Sequence, residues 1–163
     1  VNSTLAAPTL DLKVEPILRP DGKARAYAIN GRMHTLIDRD NQRYLYRLGR
    51  FIVKVGVQSK MEAARAAGSC AGSPYFWPLV GSGKVNGLKY DDVWWTAQEI
   101  LPLKRAIYTY DRDEWCAAYH VILGVAADHH IYDIELDEFP DGLMRPHNWT
   151  IFRDTPVIYD YGM

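Results

Sequence analysis

The stretch "RFIVKVG" at residues 50–56 constrains this chain more than any other segment of its length. β-Branched and aromatic side chains fill it almost continuously, the pattern of a well-buried strand. Yet Lys54 sits in its middle, and an ammonium taken out of water needs a partner. Whatever the chain folds into has to bring an acceptor to that strand. Close behind it, "SKMEAARAA" at 59–67 has Ser59 followed three residues later by Glu62 and then an alanine-rich run. That spacing predicts a capping box opening a short helix.

The flanking sequence predicts more strands. After a proline-containing lead, residues 24–38 alternate apolar and polar on either side of Asn30-Gly31, the strongest short hairpin signal. "YFWPLVGSGKVNGLKYDDVWWTAQEIL" predicts two strands joined through Asn86-Gly87 or the stretch 89–92. The sum is about five antiparallel strands with one helix inserted after the third. From Pro102 the character changes. A short helix is expected around 103–109. "DEWCAAYHVILGVAADHH" at 113–130 is the best helix in the chain, with Trp115, Ala118, Tyr119, Ile122, Leu123 and Ala126 on one face. His129 and His130 are expected to finish that helix, where its dipole favours them, rather than to bind metal. An acidic stretch follows, and two strands, 149–152 and 157–159, close the chain.

A strand with a central lysine, a helix with a glutamate, two further strands, a connecting "EILP", a long helix, and a loop with Asn followed by Asp-aromatic-Gly form an ordered set of parts. In that order the chain resembles the protein-kinase-like fold, and most closely the small divergent serine/threonine kinases encoded by bacteriophages. The resemblance runs over about residues 40–163 and is most specific in "RPHNWTIFRDTPVIYDYG". There Pro146 and Asn148 look like the catalytic-loop proline and asparagine, and Asp160-Tyr161-Gly162 looks like the DFG triplet with Tyr for Phe. The resemblance implies an α+β fold: an N-terminal antiparallel sheet with one inserted helix over about 1–100, then a reduced, mainly helical C-terminal part over about 101–163 ending in a β-hairpin. The whole is expected to be one kinase-like domain.

It also implies a site for ATP and Mg²⁺. Lys54 would pair with the nucleotide phosphates and Glu62 would orient it, while "QEILP" at 98–102, with Glu99 and Leu101, would form the hinge that meets the adenine. Asn148 and Asp160 would hold the metal. The residue types suit the chemistry, because phosphoryl transfer asks chiefly for cations held against phosphate oxygens and a positioned nucleophile. Asn148 and Asp160 supply the hard oxygen donors that Mg²⁺ takes.

Three departures qualify what the resemblance implies. The position five before Asn148, where a kinase has its catalytic aspartate, is Leu143, so Asp141 is the candidate base only if the loop bulges. Residues 38–50 hold one glycine where a phosphate-covering loop holds several, leaving Arg43, Arg47 or Arg50 to substitute through charge. The sequence ends one residue after Gly162, so either a substrate platform lies on a missing part or the domain is a trimmed one. The readings left open are an ATP-dependent kinase acting on Ser/Thr of host proteins, a catalytically inactive kinase-like module that inhibits or redirects a host protein, and a small-molecule kinase.

Composition narrows the partners. With 163 residues, 48% hydrophobic and 24% charged, the chain has length for a real core. A net charge of −1 gives no overall basic field, so nucleic-acid binding is not favoured. Cys70 and Cys116 stand outside any CxxC or Cys/His cluster, which predicts reduced thiols in a cytoplasm, the host's if the chain is phage-encoded. No apolar run approaches a membrane span, and no membrane partner is expected.

Overall fold

The computed structural model describes residues 9–39, 43–89, 91–101, 111–131, 136–138, 144–146 and 148–162. Two compact units divide the chain: Val1–Ala64 with Leu79–Ile100, and Arg65–Pro78 with Leu101–Met163. The fold is mixed α+β with antiparallel sheets. Among the described residues no helix is long and apolar enough to cross a membrane.

The first unit opens with a two-stranded ribbon, β1 (Val14–Leu18) and β2 (Ala24–Ile29). Its main sheet has five antiparallel strands: β3 (Thr35–Arg39), β4 (Arg43–Leu48), β5 (Phe51–Gly56), β6 (Gly81–Lys84) and β7 (Trp94–Glu99). They run in the order β3-β4-β5-β7-β6. The helix α1 (Gln58–Ala67) follows β5, and its last residues belong to the second unit. Strand β5, which carries Lys54, is thus the central strand, paired on both edges.

Alternation along the strands gives this sheet two unlike faces. Tyr46, Val53, Val55, Trp95 and Ala97 share one face and build the apolar core with Val14, Tyr27 and Ile29 from the ribbon. The Tyr27 ring meets the Tyr44 ring edge-on at 5.2 Å, and the Tyr27 N–H donates to the Tyr46 hydroxyl at 2.9 Å. Gly81 and Gly83 lie on this face too. The Trp95 indole crosses them so closely that a Cβ on Gly83 would stand 2.7 Å from its Nε1. The opposite face carries Lys54, Thr96 and Gln98, all buried, and receives Ser59 and Glu62 of α1.

Two expectations fail here for physical reasons. Asn30 and Gly31 do form a tight turn, with φ of 53° and 74°, and Ile29 and Arg32 exchange both backbone hydrogen bonds across it. No hairpin of β2 with β3 grows from that turn: β2 pairs with β1, and β3 with β4. Burying Tyr27 and Ile29 against the sheet face takes β2 out of the sheet. The capping box also dissolves. Helix α1 begins at Gln58, Ser59 Oγ donates to the Lys54 carbonyl at 3.0 Å, and the Glu62 carboxylate turns to Lys54.

In the second unit α2 (Arg112–Asp128) starts at the N-cap Asp111, whose carboxylate accepts from the Glu114 N–H at 2.8 Å. It ends as expected in the two histidines. His130 takes φ 57°, and its N–H and that of Ile131 close on the Ala127 and Ala126 carbonyls. Trp115, Ala118, Ile122 and Ala126 are buried, whereas Leu123, assigned to the same face, is 40% exposed. At 100° per residue Leu123 falls on the rim of the stripe centred on Ile122. Two strand pairs complete the described part: β8 (Leu136–Glu138) with β9 (Met144–Pro146), and β10 (Trp149–Phe152) with β11 (Thr155–Ile158). Arg153 and Asp154 form the turn of the closing hairpin, both at positive φ. With one helix and two strand pairs, the described residues of this unit are not mainly helical. The helix expected around 103–109 lies outside them.

Candidate functional site

The lysine of the central strand has its partner. Lys54 Nζ donates to Glu62 Oε2 at 3.0 Å, with the side chains 7% and 2% exposed. Glu62 follows Lys54 by eight positions because β5 runs almost straight into α1, and the second turn of the helix returns Glu62 over Lys54. Ser59 ties the helix start to the same strand. The other carboxylate oxygen, Oε1, accepts from Thr96 Oγ1 at 2.8 Å, and Thr96 is fully buried. Strand register sets Thr96 directly opposite Lys54. Lysine, glutamate and threonine thus form one charge-assisted network in a low-dielectric interior, where such hydrogen bonds are strongest.

In the second unit Asn148 and Asp160 come together. The Asn148 carbonyl accepts from the Tyr159 N–H at 2.9 Å and the Asp160 N–H at 3.2 Å, extending the β10–β11 ladder by one step. Both residues are 3% exposed. Beside β11 runs a short parallel segment: the Ile158 N–H donates to the Tyr75 carbonyl, and the Trp77 N–H to the Ile158 carbonyl, each at 2.8 Å. The Tyr161 hydroxyl donates to the Trp77 carbonyl at 2.9 Å, and Arg65 donates to the Tyr161 carbonyl. The Phe76 ring contacts the rings of Tyr161 and His129 edge-on. Below the hairpin Trp149 stacks on Trp115 at 4.6 Å. Cys70 is buried against His129, 3.7 Å from Sγ to Nδ1, and burial pushes its thiol pKa up, away from reactivity.

The expected residues therefore fall into two pairs, Lys54–Glu62 in one unit and Asn148–Asp160 in the other. Glu99 ends β7, half-exposed, with the Arg50 guanidinium 3.8 Å from its carboxylate; the Ile100 N–H is used by the Arg50 carbonyl. Leu101 is half-buried. Asp141, the candidate base, lies outside the described residues, as does Leu143. Among the described residues no three His, Cys, Asp or Glu side chains converge into a metal-holding group. Sequence reasoning missed Thr96, Arg65 and Trp77. Thr96 joins the network only through the β5–β7 register, and Trp77 acts through its backbone, so neither carries a local signal.

No protein-family model matches this chain, and no curated protein matches it.

Proposed function

We propose that the chain is a kinase-like domain that binds Mg·ATP, with phosphoryl transfer to Ser/Thr of a protein acceptor as its activity. The observation that carries this reading is the buried Lys54–Glu62 pair. A buried ion pair is a poor stabiliser, and apolar residues of similar volume would hold a core strand to a helix as well or better. A lysine whose head is fixed in direction by a carboxylate, with a hydroxyl behind that carboxylate, is suited to binding an anion. Lys54 would hold nucleotide phosphate, with Glu62 fixing the direction of its ammonium.

The donor set at the other pair fits the metal. An amide oxygen and a carboxylate are hard ligands, and Mg²⁺ takes one or two such groups with phosphate and water completing its shell. Asn148 and Asp160 would hold it, and bound there it would neutralise charge on the transferring phosphate. Glu99 and Leu101 would flank the adenine, and Asp141 would accept the acceptor's hydroxyl proton. The presence of Leu143 five positions before Asn148 favours a second reading, a catalytically inactive kinase-like module that inhibits or redirects a host protein.

Calorimetric titration with ATP, with and without Mg²⁺, tests the nucleotide site. The expected result is Mg-dependent binding that is lost in Asp160→Asn and in Lys54→Met. No binding at millimolar ATP overturns it. Transfer of labelled phosphate to an acceptor or to the chain itself, abolished in Asp160→Asn, marks the enzyme; binding without transfer marks the inactive module.

A further inference from the structure

Tyr161 stands where the resemblance calls for phenylalanine, and its extra oxygen has a specific use. The residue is 1% exposed and held at three points. Its hydroxyl donates to the Trp77 carbonyl at 2.9 Å, its own carbonyl accepts from Arg65, and its ring meets the edge-on Phe76 ring at 5.2 Å. Two of these partners, Phe76 and Trp77, sit on a segment that is itself anchored to β11 through Tyr75, Trp77 and Ile158, and Arg65 lies near the end of α1. On the other side of Asp160 the chain is held by the Asn148 carbonyl, which takes the N–H groups of Tyr159 and Asp160. Asp160 is therefore gripped from both sides, and rotation of its backbone would break bonds to Asn148, Trp77 or Arg65. A phenylalanine in this place keeps the ring contact and loses the link to Trp77.

We propose that Tyr161 is a positioning residue that latches Asp160 beside Asn148 in a single arrangement, through the bonds of its hydroxyl to Trp77 and of its carbonyl to Arg65. The inference rests on the reading of Asp160 as a metal ligand, and it makes the site preorganised rather than assembled by the ligand. Preorganisation lowers the cost of binding, so the latch contributes to the Mg-dependent part of ATP affinity and not to the part due to Lys54.

The substitution Tyr161→Phe removes one oxygen and leaves the packing, and two measurements on it separate the latch from the functional reading. Hydrogen exchange on the peptide spanning 157–162, without nucleotide, reads the latch alone. Exchange at the Tyr159 and Asp160 amides is expected to accelerate about fivefold, the factor that loss of one ordinary hydrogen bond carries. Unchanged exchange overturns the latch. Calorimetry with ATP then reads its consequence. In Tyr161→Phe the gain in affinity on adding Mg²⁺ is expected to shrink about fivefold, with Mg-free affinity unchanged. An undiminished Mg²⁺ gain overturns the positioning role. An unaltered chain that shows no Mg²⁺ gain at all overturns the ligand role of Asp160 and the positioning role with it, whatever exchange reports.

Discussion

The two units solve the same problem, holding two polar residues together in a buried place, by different means. In the first unit Lys54 and Glu62 are joined directly, side chain to side chain, and a third side chain, Thr96, braces the pair. In the second, Asn148 and Asp160 are brought together by main chain: one carbonyl takes two N–H groups, and the turn beyond is pinned through the Trp77 and Tyr161 carbonyls. The first arrangement fixes a charge and should fail when a charge is removed. The second fixes a backbone and should tolerate loss of a side-chain charge better than loss of packing. The units also differ in sign. The first holds thirteen Lys and Arg against nine Asp and Glu, the second six against eleven, so a total of −1 conceals two opposed fields.

The largest effect expected is that of Lys54→Met, which leaves the Glu62 carboxylate buried without the ammonium that faces it. Breaking a buried pair from one side costs about 3–5 kcal/mol. Urea denaturation should show that loss, and the double variant Lys54→Met/Glu62→Leu should recover most of it. A double variant as unstable as the single one would mean that the pair itself supplies the stability, and would remove the argument that it is kept for binding. The matching perturbation of the second unit is Ile122→Ala on α2. Ile122 is fully buried, and its truncation is expected to cost about 3 kcal/mol through lost burial and the cavity left behind.

These contrasts also show which parts of the molecule could be read from sequence. Strand β5 and helix α2 were legible because each announces itself within its own window, by β-rich continuity in one case and a 3.6-residue stripe in the other. The turn at Asn30-Gly31 was legible as a turn, since the two residues accept positive φ, but the partner of β2 was not. That choice is made by burial of Tyr27 and Ile29 on a sheet face formed fifteen and more residues later. The capping box of Ser59 and Glu62 failed for the same reason, a local pattern lost to a tertiary demand, the ammonium of Lys54, to which the resemblance had also assigned Glu62. Of the candidate site, Lys54, Glu62, Asn148 and Asp160 were legible as candidates from residue type and order, whereas Thr96, Trp77 and Arg65, which enter through strand register, main chain or a reach of 96 residues along the chain, were not.

Alkaline pH should separate the units without mutation. Burial pushes the Tyr27 hydroxyl up to about 12 and raises that of Tyr46, both in the ribbon–sheet core of the first unit. For a group whose folded pKa is raised, the unfolded chain releases its proton first, near pH 10 for tyrosine. The stability these groups contribute is therefore complete below about pH 10, and that of Tyr27 is lost as pH rises toward about 12. Urea midpoints followed by hydrogen exchange over that range should fall sooner for β4 and β5 than for α2. A fall that begins in α2 would mean that the buried tyrosine pair does not govern the alkaline limit.

The smallest effects concern the two helix starts, and they differ in kind. The first turn of α2 carries Asp113 and Glu114 behind the N-cap Asp111, so its start is held by a capping bond and by three carboxylates at the positive end of the helix dipole. Helix α1 has no acidic residue in its first turn, and Ser59 there donates to a strand carbonyl. Asp111→Ala and Ser59→Ala should each cost about 1 kcal/mol, by loss of a cap in one case and of a buried hydrogen bond in the other. Salt tells them apart. Part of the Asp111 contribution is charge against dipole at an exposed position and should shrink at 1 M salt, where the screening length is about 3 Å. The Ser59 contribution is a short buried bond between neutral groups and should not change. Equal salt sensitivity in both would mean that α1 is also held by its dipole, and that the first unit is less dependent on its buried pair than the geometry of Lys54 and Glu62 implies.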